Sequence, residues 1–252
     1  MTSPKTINLS IIVPAYQEAP IIAETLRKLA AWLDEHDYGQ VEVIVVCADS
    51  TDKTAELARA EAGRFKDFQL VEPGPRVGKG RDVRAGVMRA RGHYRLFMDA
   101  DLATPLHHLD TIAALMTEEV DLAIAVRDLA RIHPGLKRRL VSEIGNGLIR
   151  VALLPGIKDT QCGFKLFRDD VAEAVFSRMT ITGWGFDFEI LAVARALGYK
   201  IKTFSVSDWV DPKATSNGLG SDSVIGAAEQ TFKDLIRVRL NLWRGVYRSP
   251  AK

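Results

Sequence analysis

The sequence predicts one α/β domain with a mostly parallel, Rossmann-like central sheet and helices on both faces. Three observations predict it. Short apolar runs alternate with segments whose apolar residues recur at helical spacing, the connections between them are brief, and 47% hydrophobic content over 252 residues suffices for one full core. Strand and helix in alternation imply crossover units, and crossovers imply parallel pairing.

Each element follows from its own pattern. Residues 7–13 form an apolar strand ended by Pro14, and Ile21, Ile22, Leu26, Leu29 and Leu33 give residues 20–35 one apolar helical face. Strands are expected at 41–46, 68–71, 94–98 and 121–126, with helices at 52–62, 79–90 and 105–117 between them. The second half is less regular. Residues 136–154 read as a helix despite Gly145 and Gly147, 158–166 as a loop feeding a strand, 171–178 and 186–197 as helices, and 200–206 as a strand. Residues 211–222, with Gly, Ser, Asn and Pro, read as a loop long enough to cover a ligand. No stretch has linker composition and no internal repeat is visible, so residues 1–252 are expected to form a single domain.

Composition excludes several classes of function. Lys and Arg number 34 against 32 Asp and Glu, a net charge of +2, so no nucleic acid or other general polyanion is an expected partner. Cys47 and Cys162 lie far apart without metal-ligand spacing, which argues against a zinc site or a disulfide and fits a reducing cytoplasm. No leader-type apolar segment and no run of roughly 18 apolar residues occurs, so a soluble or peripherally membrane-associated protein is expected.

The chemistry lies at strand ends, where open α/β sheets bind ligands. Residues 94–105 read Tyr-Arg-Leu-Phe-Met-Asp-Ala-Asp-Leu-Ala-Thr-Pro, a buried-type strand delivering Asp99 and Asp101 with Ala100 between them. Residues i and i+2 of an extended chain point the same way, so the two carboxylates can converge on a hard cation such as Mg²⁺ or Mn²⁺. The alternative is a turn in which Asp101 or Thr104 caps the next helix. After the first strand, Pro14 leads to Tyr16 and Glu18, which can meet a base, ribose or hydroxyl, or simply start a helix. Asp49 to Thr54 follow the second strand, with capping as the alternative. Gly78-Lys79-Gly80, just ahead of a helix, suits a nucleotide phosphate. It is neither a P-loop nor a GxGxxG, which disfavours a dinucleotide-binding dehydrogenase. Trp184 can stack on a sugar face or pack in the core.

Taken in order, Ile12-Val13-Pro14-Ala15-Tyr16, the Asp/Ser/Thr turn at 49–54, Gly78-Lys79-Gly80 and Asp99-Ala100-Asp101 resemble the family 2 glycosyltransferases of the GT-A fold. Asp159-Thr160-Gln161-Cys162-Gly163-Phe164-Lys165-Leu166-Phe167 and Trp184-Gly185-Phe186-Asp187-Phe188-Glu189 narrow the likeness to the dolichyl-phosphate glucosyltransferase and mannose synthase branch. The match runs from about residue 9 to about residue 215.

The resemblance implies inverting transfer of a hexose, glucose first, from a nucleotide diphosphate sugar to a polyprenyl or dolichyl phosphate. UDP-glucose is the first choice of donor and a GDP-sugar the second. A nucleotide-sugar half at about 7–126 is expected to hold Pro14, Tyr16, Glu18, Asp49, Lys79, Asp99, Ala100 and Asp101, with Asp99 and Asp101 on the metal. In an acceptor half at about 127–222, Arg127, Arg138 and Arg139 match phosphate-binding arginines, Asp159 and Asp187 match the acids near the reacting centre, and Trp184 joins the donor side. For Asp187 and Asp159 the alternatives are a helix cap and a turn, and for Lys137-Arg138-Arg139 a solvated helix face. Relatives carry two acids and a glycine where Cys47, Ala48 and Asp49 stand, which leaves base identity open. A soluble acceptor, or a nucleotide-sugar-binding protein without turnover, is the other reading. Relatives carry membrane anchors at one end or the other, and this sequence has neither. In their place, residues 224–247 set Val224, Ala228, Phe232, Leu235, Ile236, Leu240, Trp243 and Tyr247 at near-helical spacing with Lys233, Arg237, Arg239, Arg244 and Arg248 interleaved. Such a helix can lie on an anionic cytoplasmic membrane face, pack on the sheet or join a homodimer.

Overall fold

A computed structural model describes residues 8–117, 119–128, 145, 147–210 and 221–248. Strands β1 (Leu9–Pro14), β2 (Val41–Val46), β3 (Phe68–Val71), β4 (Tyr94–Met98), β5 (Leu122–Arg127), β6 (Phe164–Arg168) and β7 (Ile201–Val206) form one sheet in the order β3-β2-β1-β4-β6-β5-β7. The order turns at β1 and β4, so ligands are expected beyond the carboxyl ends of these two strands.

The strands are apolar on both sides because both faces are covered. Ile12 lies beside Ile44 and Phe97, and this row packs against helices α3 (Lys79–Val87), α5 (Asp169–Phe176), α6 (Phe186–Ala196) and α7 (Ser221–Trp243). The alternate residues Ile11, Val13, Val43, Val45, Leu96 and Met98 face helices α1 (Ile22–Glu35), α2 (Thr54–Ala60) and α4 (His108–Leu115). Period-two alternation along each strand thus feeds two separate apolar cores.

β6 departs from parallel pairing and runs antiparallel to both β4 and β5. β5 ends on the ligand-binding edge and β6 starts from that same edge, so it must run the other way. The residue order Phe164-Lys165-Leu166-Phe167 then lies flat against Met98, Phe97, Leu96 and Arg95. One sheet therefore takes strands from both halves of the chain, joined along β4 and β6.

Several expected elements are shorter than their periodicity implies. Asp52 Oδ1 accepts the Thr54 amide at 3.1 Å, an Asx turn that delays α2 to residue 54. His108 and Leu109 amides bond Pro105 and Leu106 three residues back, so the 105–107 stretch is a turn ahead of α4. Of the helix expected at 136–154, residues 147–152 are helical and residues 136–144 lie outside the described set. Arg138, Arg139 and most of the 211–222 loop lie outside it too.

Candidate active site

β4 carries Asp99 and Asp101 to the carboxyl edge of the sheet, where both stay partly exposed while Ala100 is buried. The Thr25 hydroxyl donates to the Ala100 carbonyl at 2.5 Å, and Asp101 Oδ1 accepts the Ala103 amide at 3.1 Å. Leu102 takes a left-handed φ of 51°, unusual for a branched side chain and a mark of a tightly held loop. The Asp99 amide bonds the Gly163 carbonyl at 3.1 Å, and a Cβ at Gly163 would lie 2.1 Å from Asp99 Oδ2. Only glycine lets β6 begin against that carboxylate.

Lys79 Nζ sits 2.5 Å from Asp99 Oδ1 and 5.2 Å from the centre of the Trp184 ring. Burial pushes the ammonium pKa down, but Asp99, Asp187 and Asp101 outweigh burial and leave it raised. The flanking glycines serve close packing. A Cβ at Gly78 would lie 2.4 Å from the Thr182 carbonyl oxygen, and one at Gly80 would lie 2.7 Å from Phe186 Cβ. The Gly-Lys-Gly turn is thereby pressed onto the 181–186 segment, which delivers Lys79 to Asp99. Trp184 is 66% exposed, so it belongs to the rim rather than the core.

Asp187 lies in the first turn of α6 and makes no cap there. Its buried carboxylate pairs with Lys165 Nζ, which also donates to the Cys162 carbonyl at 2.7 Å and stands 5.1 Å over the Phe97 ring. Burial raises the Asp187 pKa, and Lys165 and Lys79 oppose that rise without cancelling it. Lys165 is fully buried and was given no separate role by the sequence. Its signal was a lone cation within Phe-Lys-Leu-Phe, which in a buried strand demands a partner.

Asp159 and Arg127 meet in a buried fork. Arg127 Nε donates to Asp159 Oδ2 at 2.7 Å and Nη2 to Oδ1 at 3.0 Å, while the Arg127 and Gln161 amides add bonds of 3.2 and 3.0 Å. Burial pushes the Asp159 pKa up, but this set of donors more than reverses it and holds the carboxyl below the usual range. The outer side of Arg127 lies 5.2 Å over Trp209, a second aromatic the sequence reading passed over. Cys162, between the two acids in sequence, is 1% exposed and its thiol is pushed up to about 11 by burial, so it packs rather than reacts.

The remaining donor-side candidates form a second group. Gln17, at φ 56°, has its amide bonded to Ser50 Oγ at 2.9 Å, and the Glu18 amide reaches Thr54 Oγ1 at 2.9 Å. The loop after Pro14 is thus tied to the 50–54 turn. Arg76 covers the Tyr16 ring at 4.4 Å and pairs with buried Asp82, fixing the approach to Lys79. Asp49 is exposed, its amide bonded to the Gly74 carbonyl at 3.1 Å, while Cys47 and Ala48 are buried. The side chains at 47 and 48 therefore cannot read a base from this edge.

Two places were weighed for a metal. His107, His108 and Asp208 cluster at ligand spacing, with Nε2 atoms 3.1 and 2.7 Å from the Asp208 oxygens. A metal on His108 Nε2 would force the proton onto Nδ1, which is buried with no partner. The trio fits better as a hydrogen-bonded clamp between α4 and the segment after β7, His108 Nε2–H donating to Asp208 at 2.7 Å. At the sheet edge, Asp99, Asp101 and Asp187 gather around Lys79 and Lys165, and Asp99 and Asp101 keep solvent access. That oxygen-rich edge, with two carboxylates open to solvent, fits a hard divalent cation.

A switch-point sheet edge bearing paired carboxylates and buried lysines defines the class, a GT-A type transferase fold. The chain shares it with glucosyl-3-phosphoglycerate synthase from Mycobacterium tuberculosis, solved with Mn²⁺, UDP-glucose and phosphoglyceric acid, at a TM-score of 0.70 and 18% identity over 92% of this chain and 80% of that one. The family model "Glycosyl transferase family 2" matches residues 10–176, and the chain belongs to that family. It is 31% identical to dolichyl-phosphate beta-glucosyltransferase ALG5D of Trichomonas vaginalis, over 94% of this chain and 76% of the relative. Against the dolichyl-phosphate beta-glucosyltransferase of Saccharomyces cerevisiae it is 29% identical, over 98% and 78%.

Proposed function

We propose that the protein transfers glucose, with inversion, from UDP-glucose to a polyprenyl phosphate of the dolichyl type at the cytoplasmic face of a membrane. The observation that carries this reading is that one segment, residues 159–167, touches three charged parts of the site. Asp159 holds Arg127, Gly163 makes room for Asp99, and Lys165 holds Asp187. The same segment carries the resemblance to the lipid-phosphate branch, and the relatives reported above are dolichyl-phosphate beta-glucosyltransferases.

In this reaction an acceptor phosphate oxygen attacks the anomeric carbon as the bond to the nucleotide diphosphate breaks on the opposite face. The acceptor is already an anion, so positioning and charge stabilisation carry the catalysis and no strong base is required. Arg127, locked by Asp159 and backed by Trp209, offers its guanidinium to the acceptor phosphate, with Arg138 and Arg139 completing the set. Lys79 places positive charge where the diphosphate departs. Asp187, held by Lys165, orients the sugar at the reacting centre, and Trp184 covers it from the rim. Mg²⁺ or Mn²⁺ on Asp99 and Asp101 would neutralise charge on the leaving diphosphate. Tyr16, Glu18 and Asp49 line the nucleoside side, and residues 127–222 serve as the acceptor half. The C-terminal helix provides peripheral membrane contact.

The test is to supply purified protein with UDP-glucose or GDP-sugars, each with Mg²⁺, Mn²⁺ or chelator, and with polyprenyl phosphate or neutral acceptors. A glucosyl phosphodiester formed only with metal is expected. Transfer confined to neutral acceptors would overturn the reading.

A further inference from the structure

Helix α7 has two unlike sides. Asp234, Leu235 and Val238 are buried toward α6, and beyond Gly245, where φ is 71°, the chain turns back to bury Tyr247. On the outer side Phe232, Ile236, Leu240 and Trp243 repeat at helical spacing and are 41–81% exposed, Trp243 most of all. Beside this stripe a groove of about 500 Å³ has an apolar floor that includes Leu153, Ala192 and Leu242. Arg195, Arg239 and Arg248 rim it, and among the described residues no acid lines it. Arg195 gives one bond to the Pro155 carbonyl, whereas Arg239, Arg244 and Arg248 form no ion pair among the described residues.

We infer that the outer side of α7 docks on an anionic lipid bilayer, with Trp243 in the interface and one lipid phosphate held by the arginine-rimmed groove. An apolar stripe flanked by unpaired guanidinium groups suits a surface that is apolar within and negative at its face. Arginine stems can lie along acyl chains while their heads stay at the phosphates, and tryptophan favours that boundary. A second copy of this chain fits poorly, since a two-fold interface would set the same arginines against one another. The stripe also has a direction. Asp234, on the inner side of the turn that carries Phe232, fills the space a Cβ at Gly185 would need, next to Trp184. The N-terminal part of the stripe is therefore the part of α7 carried on the turn that packs beside the rim of the active site. This deepens the proposed lipid-phosphate reading by naming the docking surface.

Flotation of the full chain with phosphatidylcholine vesicles, with and without phosphatidylglycerol, tests it without any donor or turnover. Binding to the anionic vesicles alone is expected, weakening as salt rises. The Arg239→Glu/Arg248→Glu variant should partition at least about tenfold less. Brominated acyl chains should quench emission in the wild type, and Trp243→Phe should lose most of that quenching. Equal binding to neutral vesicles, or binding to anionic vesicles that is unchanged in the double variant, would overturn the inference. So would a dimer that the double variant dissociates and that binds no vesicles. Turnover of a short, water-soluble prenyl phosphate, expected to be unchanged in the variants, reports on the transfer reading separately.

Discussion

Single atoms decide the site. Asp101 is partly exposed at a strand end, so Asp101→Asn should leave the melting temperature nearly unchanged, abolish the stabilisation given by Mn²⁺ with nucleotide, and cut kcat by about 10²-fold or more. Unchanged turnover in that variant would remove the metal role of the pair. Gly163→Ala tests placement rather than charge. Its methyl would meet the Asp99 carboxylate, and a displacement of about 1 Å at a reacting site can cost about 10²-fold in kcat/KM. Lys165→Met should destabilise the protein by roughly 3–5 kcal/mol in urea unfolding, because the Asp187 carboxylate stays buried without its cation. Adding Asp187→Asn to Lys165→Met should restore much of that stability, whereas Asp187→Asn alone should lower kcat far more than it raises the donor KM. Lys165 shows where residue-level reading fell short: its place in the motif was visible, but its partner was 22 positions away in sequence.

Elements explain why distant residues act together. Glu189, fully buried in α6, accepts from the Thr180 and Ile181 amides, the Thr180 hydroxyl and Tyr247 Oη, the last at 2.7 Å. One carboxylate thus ties the chain after α7 to the 180–185 segment, which carries Trp184 and packs on Gly78. Tyr247→Phe is expected to cost roughly 1.5–3 kcal/mol, the worth of a hydrogen bond to a charged group, read from the shift of the urea midpoint. Deleting residues 225–252 should do worse. Leu235, Val238 and Tyr247 belong to the core, so the truncated chain is expected to lose cooperative unfolding rather than only its membrane contact. The amphipathic pattern of this helix was legible in the sequence; which of its sides met α6 was not, because both carry aromatic and aliphatic residues.

For the whole molecule, the buried site acids Asp159 and Asp187 predict opposite contributions to stability against pH. Asp159 has its folded pKa depressed by Arg127, so it stabilises above the unfolded value near 3.8 and loses that contribution as pH falls through its folded value. Asp187, raised by burial, stabilises when protonated and gives that up as pH rises through its unfolded and then its folded value. Unfolding free energies measured across acid pH should therefore show a shallower loss in Asp159→Asn than in the wild type. The sequence by itself determined the α/β alternation, the strand that delivers Asp99 and Asp101, and the motif spanning residues 159–167, because periodicity and turn chemistry are local and depend on near neighbours. Only the tertiary structure decided that β6 runs antiparallel, that Asp159 takes Arg127 while Asp187 takes Lys165, and that Lys79 reaches Asp99. Those outcomes depend on which groups burial leaves without water, and a buried charge must find its partner wherever the fold brings one within reach.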